Sequence, residues 1–377
     1  MPRILFVAVL IFVLSAGLQS QDLDSLQIHG FVTQSFLVSS ENNYLTMKSC
    51  SGSLQWTEGA VSLNDTLSEK TRVGIQLHMY QMGQIGGPNA LVDWVSGDYR
   101  FNDDLGVRGG KIKVPLGLFN ESQDVDALFF WTLLPQSNYP DDKRDFDLAV
   151  LGGEVYGSLL LGNRGRLLYR GYAGESRLDA NGGYMRNLAQ CGFTFPDPPS
   201  GKAFGGDLRW ATPLRGLVLG TSAESQSLDG SGPEGTMHVP PVFTAAYYAE
   251  WTKGKWYFAG EYWRMPLMLN LQAGPDSLQA QVDQRSWYPM VSYQMTKTIQ
   301  LGTYYSHYIN KDGNTSLPEN YSKDWALSGR YNFNVNFYAK LEVHFLHGTG
   351  LGYYSTTNPD GLKPNTAMLA SREGFPF

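Results

Sequence analysis

Phe337-Tyr338-Ala339-Lys340-Leu341-Glu342-Val343-His344-Phe345-Leu346 alternates strictly, with Phe337, Ala339, Leu341, Val343 and Phe345 at odd positions and Tyr338, Lys340, Glu342 and His344 between them. Successive side chains of an extended chain point to opposite faces, so the stretch forms a strand with one apolar face and one polar, charged face. The same period recurs where Val73, Ile75, Leu77 and Met79 oppose Arg72, Gln76, His78 and Tyr80. It recurs again where Phe204, Leu208 and Trp210 oppose Asp207 and Arg209, and where Trp325, Leu327, Tyr331 and Phe333 oppose Ser328, Arg330 and Asn332. Soluble sandwiches alternate too, so alternation alone leaves the architecture open.

Connection lengths decide further. Seven short turns are read at Asp65–Lys70, Asn102–Asp104, Leu161–Gly165, Thr212–Gly216, Thr252–Lys255, Met295–Thr298 and Asn334–Asn336. Between them lie eight longer polar segments, near 40–52, 83–90, 116–146, 174–201, 229–241, 266–284, 310–321 and 349–365. Together these connections join sixteen strands. An even strand number with short turns at one end and long loops at the other is the pattern of an outer-membrane barrel, and sandwiches lack that asymmetry. The expected fold is all-β, a 16-stranded antiparallel transmembrane β-barrel with short periplasmic turns and long outer loops.

Composition agrees. Of 377 residues 17% are charged and 13% aromatic, with 42 Gly and 22 Tyr, which excludes a disordered chain and a charged helical bundle. A mean hydropathy of −0.27 fits a barrel with one polar face. The net charge of −6 comes without a Lys/Arg block, so no sequence-independent grip on nucleic acid is expected. Arg3, the apolar run Ile4–Leu14 and the small or polar residues through Ser20 read as an export signal over 1–21, leaving 22–377 as the barrel domain. Trp210, Trp251, Trp256, Trp287, Tyr293, Trp325, Tyr331 and Phe337 lie at strand ends, where an interfacial girdle would sit. A sixteen-stranded barrel encloses an aqueous channel, whereas eight strands fill with their own side chains.

The chain resembles the Gram-negative outer-membrane porins related to the phosphate-selective porin O/P type. The resemblance rests on Ile28-His29-Gly30-Phe31, on Gly110-Lys111-Ile112-Lys113-Val114-Pro115-Leu116-Gly117, on Asp324-Trp325-Ala326-Leu327 and on the terminal Phe377. It implies an outer-membrane location, a homotrimer in outer-membrane lipid, a third loop folded into the lumen, and recognition of Phe377 by the barrel-assembly machinery. The last strand departs from the pattern, because Glu373 falls on the lipid parity and Pro376 removes a ladder donor.

The longest connection, 116–146, is the expected constriction loop, with Glu121, Asp124 and Asp126 as its candidate acids. Asp124 and Asp126 precede the apolar run Leu128–Leu134 and would cap a short helix stopping before Pro135. Asp141, Asp142 and Asp145 read as a solvated acidic loop, with calcium binding at the loop base as the less favoured alternative. The candidate pore-lining bases are Arg72, Arg100, Arg108, Lys111, Lys113, Arg170, Arg209, Arg330 and Lys340. With Arg166 and Arg372, and against Asp98, Glu154, Asp207, Glu224, Glu250, Glu261 and Glu342, they leave the inner wall about +4, a field that concentrates anions. Lys111 and Lys113 share a face, and Arg108 joins them only if Gly109 and Gly110 form a bulge. A solvated Lys340 would make Lys340→Leu nearly free of cost.

Catalytic and metal chemistry find little support. His344 and His347, the closest histidine pair, fall on opposite strand faces, and neither G-x-S-x-G nor H-E-x-x-H occurs. No cofactor, metal site or catalytic residue is expected. Cys50 and Cys191 pair only if two non-adjacent loops meet. The expected function is a passive channel for small hydrophilic solutes or anions, weakly anion-preferring and phosphate-like. The alternatives are a barrel adhesin or structural protein and, less favoured, a barrel-borne hydrolase.

Overall fold

The computed structural model describes residues 25–377; the export signal read over 1–21 lies outside the described residues. Sixteen long strands follow one another around a single sheet. They are β1 (Gln27–Ser39), β2 (Ser53–Thr66), β3 (Thr71–Met82), β4 (Leu91–Arg100), β5 (Gly106–Lys113) and β6 (Ala149–Leu160). Next come β7 (Arg166–Arg177), β8 (Ser200–Ala211), β9 (Leu217–Gly232), β10 (Gly235–Lys253) and β11 (Trp256–Ala273). The remainder are β12 (Asp276–Gln294), β13 (Ile299–Asn310), β14 (Tyr321–Asn334), β15 (Phe337–His347) and β16 (Asn365–Pro376). A two-residue piece, Ile85–Gly86, adds a short pairing to β3, and one helix, α1 (Gly183–Gln190), sits in the connection after β7.

Every strand pairs antiparallel with its sequence neighbours, and β1 pairs with β16 from Phe31↔Pro376 to Ser39↔Met368, which closes the barrel. Pro376 cannot donate to that ladder, but the closure continues past it: Gly30 N–H donates to the Phe377 carbonyl and Phe377 N–H to the Gly30 carbonyl, both at 2.9 Å. Glu373 stands exposed on the outer face, opposite Gln34, as its parity requires. A Phe333–Phe337–Phe375 stack, with ring centroids 4.7 and 4.4 Å apart, joins β14, β15 and β16 on the outside of the turn end.

The seven turns and six of the eight loops lie where the sequence places them. The segments 229–241 and 266–284 are different. They are the ends of two long hairpins, β9–β10 and β11–β12, in which the ladder runs on to Gly232↔Gly235 and Ala273↔Asp276. Their polarity resembles that of a loop because strand ends standing beyond the apolar belt face water on both sides. Gly274 has φ 59° and precedes Pro275, as a type II′ turn requires. Strand number is unaffected.

Leu341 and Phe345 of β15 are 54% and 55% exposed on the outer face, while Tyr338, Lys340, Glu342 and His344 are buried inside. What buries them is the 114–148 connection between β5 and β6, which turns into the barrel. Its Val114, Leu116, Leu118, Phe130, Trp131, Leu134 and Tyr139 form one apolar cluster with Tyr248, Trp263, Tyr288 and Tyr304 of the wall. A second cluster joins Leu133 to the loop between β1 and β2, and a third joins Phe146 to α1 and the β9–β10 hairpin. Cys50 and Cys191 are both exposed and unpaired.

The face assignment is tested by Leu341→Arg, which places a charge on the apolar outer face. It should destabilise the folded barrel by about 2–4 kcal/mol in lipid, read from denaturant titration in vesicles. A change within about 0.5 kcal/mol, the range of neutral surface substitutions, would refute the register.

Candidate functional site

The inward loop is tied down by charges and carbonyls that the strands present at fixed heights. Lys340 on β15, with a side chain 0% exposed, donates to Asp126 Oδ1 at 2.8 Å and to the carbonyls of Asp126 and Trp131 at 2.9 Å. Arg372 on β16 reaches the same Oδ1 at 2.8 Å, and the Tyr338 hydroxyl donates to Oδ2 at 2.5 Å. Burial pushes the Asp126 carboxyl up, but the Lys340 and Arg372 charges outweigh it and hold Asp126 down at about 2. Arg330 donates to the carbonyls of Ala127 and Phe129 at 2.9 and 2.7 Å, its guanidinium 4.1 Å from the Tyr338 ring centre.

Two wall carboxylates do the converse and accept from the loop. Glu342 takes the N–H groups of Thr132 and Leu133 at 3.2 and 3.0 Å and also contacts His344 Nε2 at 2.9 Å, while His344 Nδ1 meets Asp324 at 2.9 Å. Glu261 takes Leu118 N–H at 2.6 Å, the Tyr139 hydroxyl at 2.7 Å and Trp263 Nε1 at 2.6 Å. Between Asp126 and Leu133 the chain forms only a three-residue 3-10 turn, Asp126–Leu128, without a side-chain cap. The short helix expected before Pro135 is absent because Asp124 and Asp126 are engaged by wall side chains instead of the backbone N–H groups that a cap would serve.

The loop divides the lumen. On the turn side lies a vestibule of about 940 Å3 that Glu121, Ser122, Val125 and Leu128 border. On the loop side, Asn120, Gln123, Tyr139 and Lys143 border a smaller one of about 100 Å3. The segment 120–125 thus stands between them, with Asn120 and Gln123 bordering one and Glu121, Ser122 and Val125 the other.

Most candidate bases face this partition already paired. Lys113 bonds Asp93 and, at 2.9 Å, Asp124. Arg108 meets Asp98 and Glu154 at 3.3 and 3.1 Å. Arg170 bonds Glu121 and Glu154, and Arg209 meets Asp207 at 2.9 Å and Glu121 at 3.9 Å. Burial raises the Glu121 carboxyl, yet Arg170 and Arg209 outweigh that and lower it. Burial also raises Asp124, and there the pull of Lys113 is offset by the nearby Asp93 carboxylate, so the rise persists. Arg72 lines the turn-side vestibule, and Arg100 pairs at 3.0 Å with the exposed Asp103 at its rim. Parity locates these bases and their wall partners Asp98, Glu154 and Asp207, whereas Glu121 and Asp124 come from the inward loop.

Three further expectations change. Both ladders of β5 pass through Gly109 and Gly110 without a register shift, so no bulge brings Lys111 round to the face of Arg108. Lys111 stands in one row with Leu151, which is 64% exposed on the outer surface, while Ile112 is buried inside. Lys113 shares the parity of Lys111 but, at the strand end, turns inward to Asp93 and Asp124. Lys340 is not a solvated wall residue, so its replacement is not free of cost. Asp141, Asp142 and Asp145 are not a solvated patch either. Asp142 accepts from the Tyr354 hydroxyl at 2.6 Å, Asp141 from Gln136 Nε2 at 2.9 Å, and Asp145 from Asp179 N–H at 2.9 Å.

The sequence reading missed Glu58, His78 and Arg144. His78 Nε2 donates to Glu58 at 2.8 Å, and Arg144 from the returning loop contacts Glu58 at 3.3 Å, Asp93 at 3.4 Å and His78 Nδ1 at 3.1 Å. Inward parity was the available signal for Glu58 and His78, while Arg144, on the loop, carried none.

A closed sixteen-stranded barrel with an internal loop places the chain in the transmembrane β-barrel fold class. No protein-family model matches the chain, and no curated protein matches it. Solved structures do. OmpF of Salmonella typhi in complex with daunomycin superposes with a TM-score of 0.61 at 12% identity, covering 95% of this chain and 99% of that one. An anion-selective porin from Comamonas acidovorans gives 0.58 at 11% identity, covering 94% and 99%. The outer-membrane channel DcaP of Acinetobacter baumannii gives 0.58 at 10%, covering 93% and 97%. Such identities carry the fold alone, and they do not single out the phosphate-selective type.

Two outcomes follow from the loop anchors. Lys340→Leu leaves Asp126 buried with Arg372 as its remaining cation and should destabilise the protein by about 3 kcal/mol, with 116–146 becoming open to proteases at otherwise native conditions. An unaltered denaturation midpoint would show that the loop is held elsewhere.

Burial, foremost among the causes, pushes Asp141 and Asp145 up to about 7, above their unfolded value of 3.8. The folded loop therefore binds protons more tightly than the unfolded chain between about pH 4 and 7, and its stability falls as pH rises through that window. Hydrogen exchange, corrected for intrinsic rates, should show residues 140–147 less protected at pH 8 than at pH 5. Asp141→Asn/Asp145→Asn should abolish the difference.

Proposed function

We propose that this protein is an outer-membrane channel of the porin type, with passive diffusion of small hydrophilic solutes through the lumen. The observation that carries the reading is the inward 114–148 loop, fastened to the wall by buried ion pairs and dividing a polar lumen at residues 120–125. An internally anchored loop of this kind serves a conduit, since an adhesin would present its long loops outward. The structural likeness to an anion-selective porin and to an outer-membrane channel supports the same reading. It implies a Gram-negative outer membrane, a surrounding shell of lipid and assembly through the barrel machinery at Phe377. A homotrimer fits closed cyclic symmetry with parallel pores.

The mechanism is selection by size and field, with no catalytic residue assigned. The charge preference follows from the partition. The turn-side vestibule is lined by seven bases, Lys70, Arg72, Arg100, Arg108, Lys111, Lys113 and Arg166, and five acids, Asp65, Glu69, Asp98, Asp103 and Glu121. The small basic excess supports a weak preference for anions such as phosphate, most of the potential being cancelled locally by the ion pairs.

Planar-bilayer recording tests both parts. Stable ohmic steps are expected from the purified protein, and their absence would favour an adhesin or a hydrolase. Glu121→Gln removes the carboxylate shared by Arg170 and Arg209 and should move the reversal potential under a salt gradient toward anions. Arg170→Glu should move it toward cations.

A further inference from the structure

The wall of the barrel opens where β4 and β5 part, as the ladder between β10 and β11 also does from His238↔Asn270 to Ala245↔Arg264. The β4–β5 ladder ends at Val95↔Lys111, although β4 continues to Leu91 and β5 to Lys113. Two features pry the strands apart. On β4 the register against β3 slips between Gln76↔Trp94 and Leu77↔Val92, leaving Asp93 out of the pairing and turned inward. On β5, Gly110 has φ 131°, and a Cβ there would lie 2.2 Å from the Val95 carbonyl oxygen, so only glycine permits the bend. Beyond it β5 stays paired with β6 alone, to Lys113↔Ala149, before the chain turns into the lumen.

The resulting wedge holds a cavity of about 430 Å3 whose walls belong to both sides of the sheet. Val92 and Leu151, exposed on the outer surface, and Leu91, exposed at the strand end in the row of His78, form its apolar mouth. Arg144 and Leu148, from the end of the inward loop, form its floor. At the apex Lys111 borders this cavity and the turn-side vestibule alike. Its ammonium donates at 2.7 Å to the carbonyl of Val92 and is in no ion pair among the described residues. Of the acids that line the cavity, Asp179 accepts from Asn181 N–H at 3.0 Å. Asp93 holds Lys113 and Arg144, and Asp145 accepts from Asp179 N–H. Glu175 stands in the same row as Lys111 with Leu151 between them.

We propose that this wedge is a lateral binding site for a single-chain amphiphile with an anionic head, the chain entering between Leu91, Val92 and Leu151 and the head meeting the Lys111 ammonium. An unpaired ammonium on a long apolar stem beside an apolar mouth matches that chemistry, because the stem packs against the chain while the charge reaches the head. The cavity falls at the low end of the roughly 300–1,000 Å3 of small-molecule sites, room for one acyl chain and too little for a two-chain lipid. The site requires the barrel to lie in a membrane but does not depend on solute passing through the lumen.

A diazirine-bearing dodecanoate, irradiated with the intact protein in neutral-lipid vesicles and mapped by peptide mass spectrometry, tests the proposal. Labels are expected at 91–92, 111 and 148–151, competed by plain dodecanoate and not by the uncharged dodecyl alcohol. Lys111→Gln should weaken competition about tenfold, the scale of one charged hydrogen bond, and Lys111→Arg should restore it. Leu151→Trp should occlude the mouth while leaving the folded fraction unchanged. Uniform labelling of the whole apolar belt would overturn the site while keeping the membrane reading, and labelling confined to soluble loops would overturn both. Equal competition by phosphatidylglycerol would overturn the single-chain assignment. Loss of labelling on assembly of several copies would assign the wedge to a contact between them and overturn the proposal.

Discussion

Inside a bilayer no water satisfies a backbone N–H or carbonyl, so a spanning sheet has no tolerable edge. Closure is the constraint on which everything else in this protein depends. The pairing of β1 with β16 from Phe31 to Ser39, extended by the two Gly30–Phe377 bonds, removes the two edges that sixteen strands joined in succession would leave. Once the sheet is closed, alternation does the rest: one parity meets lipid, the other meets the lumen, and a slip of one residue anywhere would exchange them. At the wedge above Val95 and Lys111 the pairing is locally relaxed, and there a lysine side chain takes over a carbonyl that the ladder would have served.

A closed barrel of this width encloses more space than its own side chains fill. The inward loop occupies it, and its attachment is electrostatic as much as apolar. Buried charges are costly unless paired and hydrogen-bonded, which explains why the anchors come as complete sets: Lys340 and Arg372 on Asp126, Glu342 on two loop N–H groups, Glu261 on Leu118, Tyr139 and Trp263. Each set joins a residue of the loop to strands far away in the chain. Asp141 and Asp145 have no such cation and respond in the opposite direction, rising with burial while Asp126 falls. One loop therefore carries carboxyls of opposite tendency, set by what the wall presents to each.

How far the fold and the candidate site were legible differs residue by residue. Leu341 and Lys340 were assigned to opposite faces by parity alone, and they lie there. That Lys340 is sealed under a loop was not visible, because parity distinguishes inside from outside and not dry from wet. The hairpin ends at 229–241 and 266–284 looked like loops because polarity signals exposure to water, which a strand beyond the membrane shares with a loop. The bulge that two adjacent glycines suggested is not formed, because the ladder passes through them and the bend at Gly110 comes from its φ of 131°, so Lys111 keeps the row of Leu151 and borders the vestibule only from the wedge.

The sequence by itself determined the strand number, the order of turns and loops and the face of nearly every strand residue, since each of these follows from period-two alternation and local turn chemistry. Only the tertiary structure decided which charges remain free. Lys113, Arg170 and Arg209 read as part of a net basic wall until Asp93 and the loop acids Glu121 and Asp124 stand beside them. Coulomb energy depends on distance in space, and closing a barrel over a folded-in loop brings together residues whose separation along the chain carries no trace of that distance.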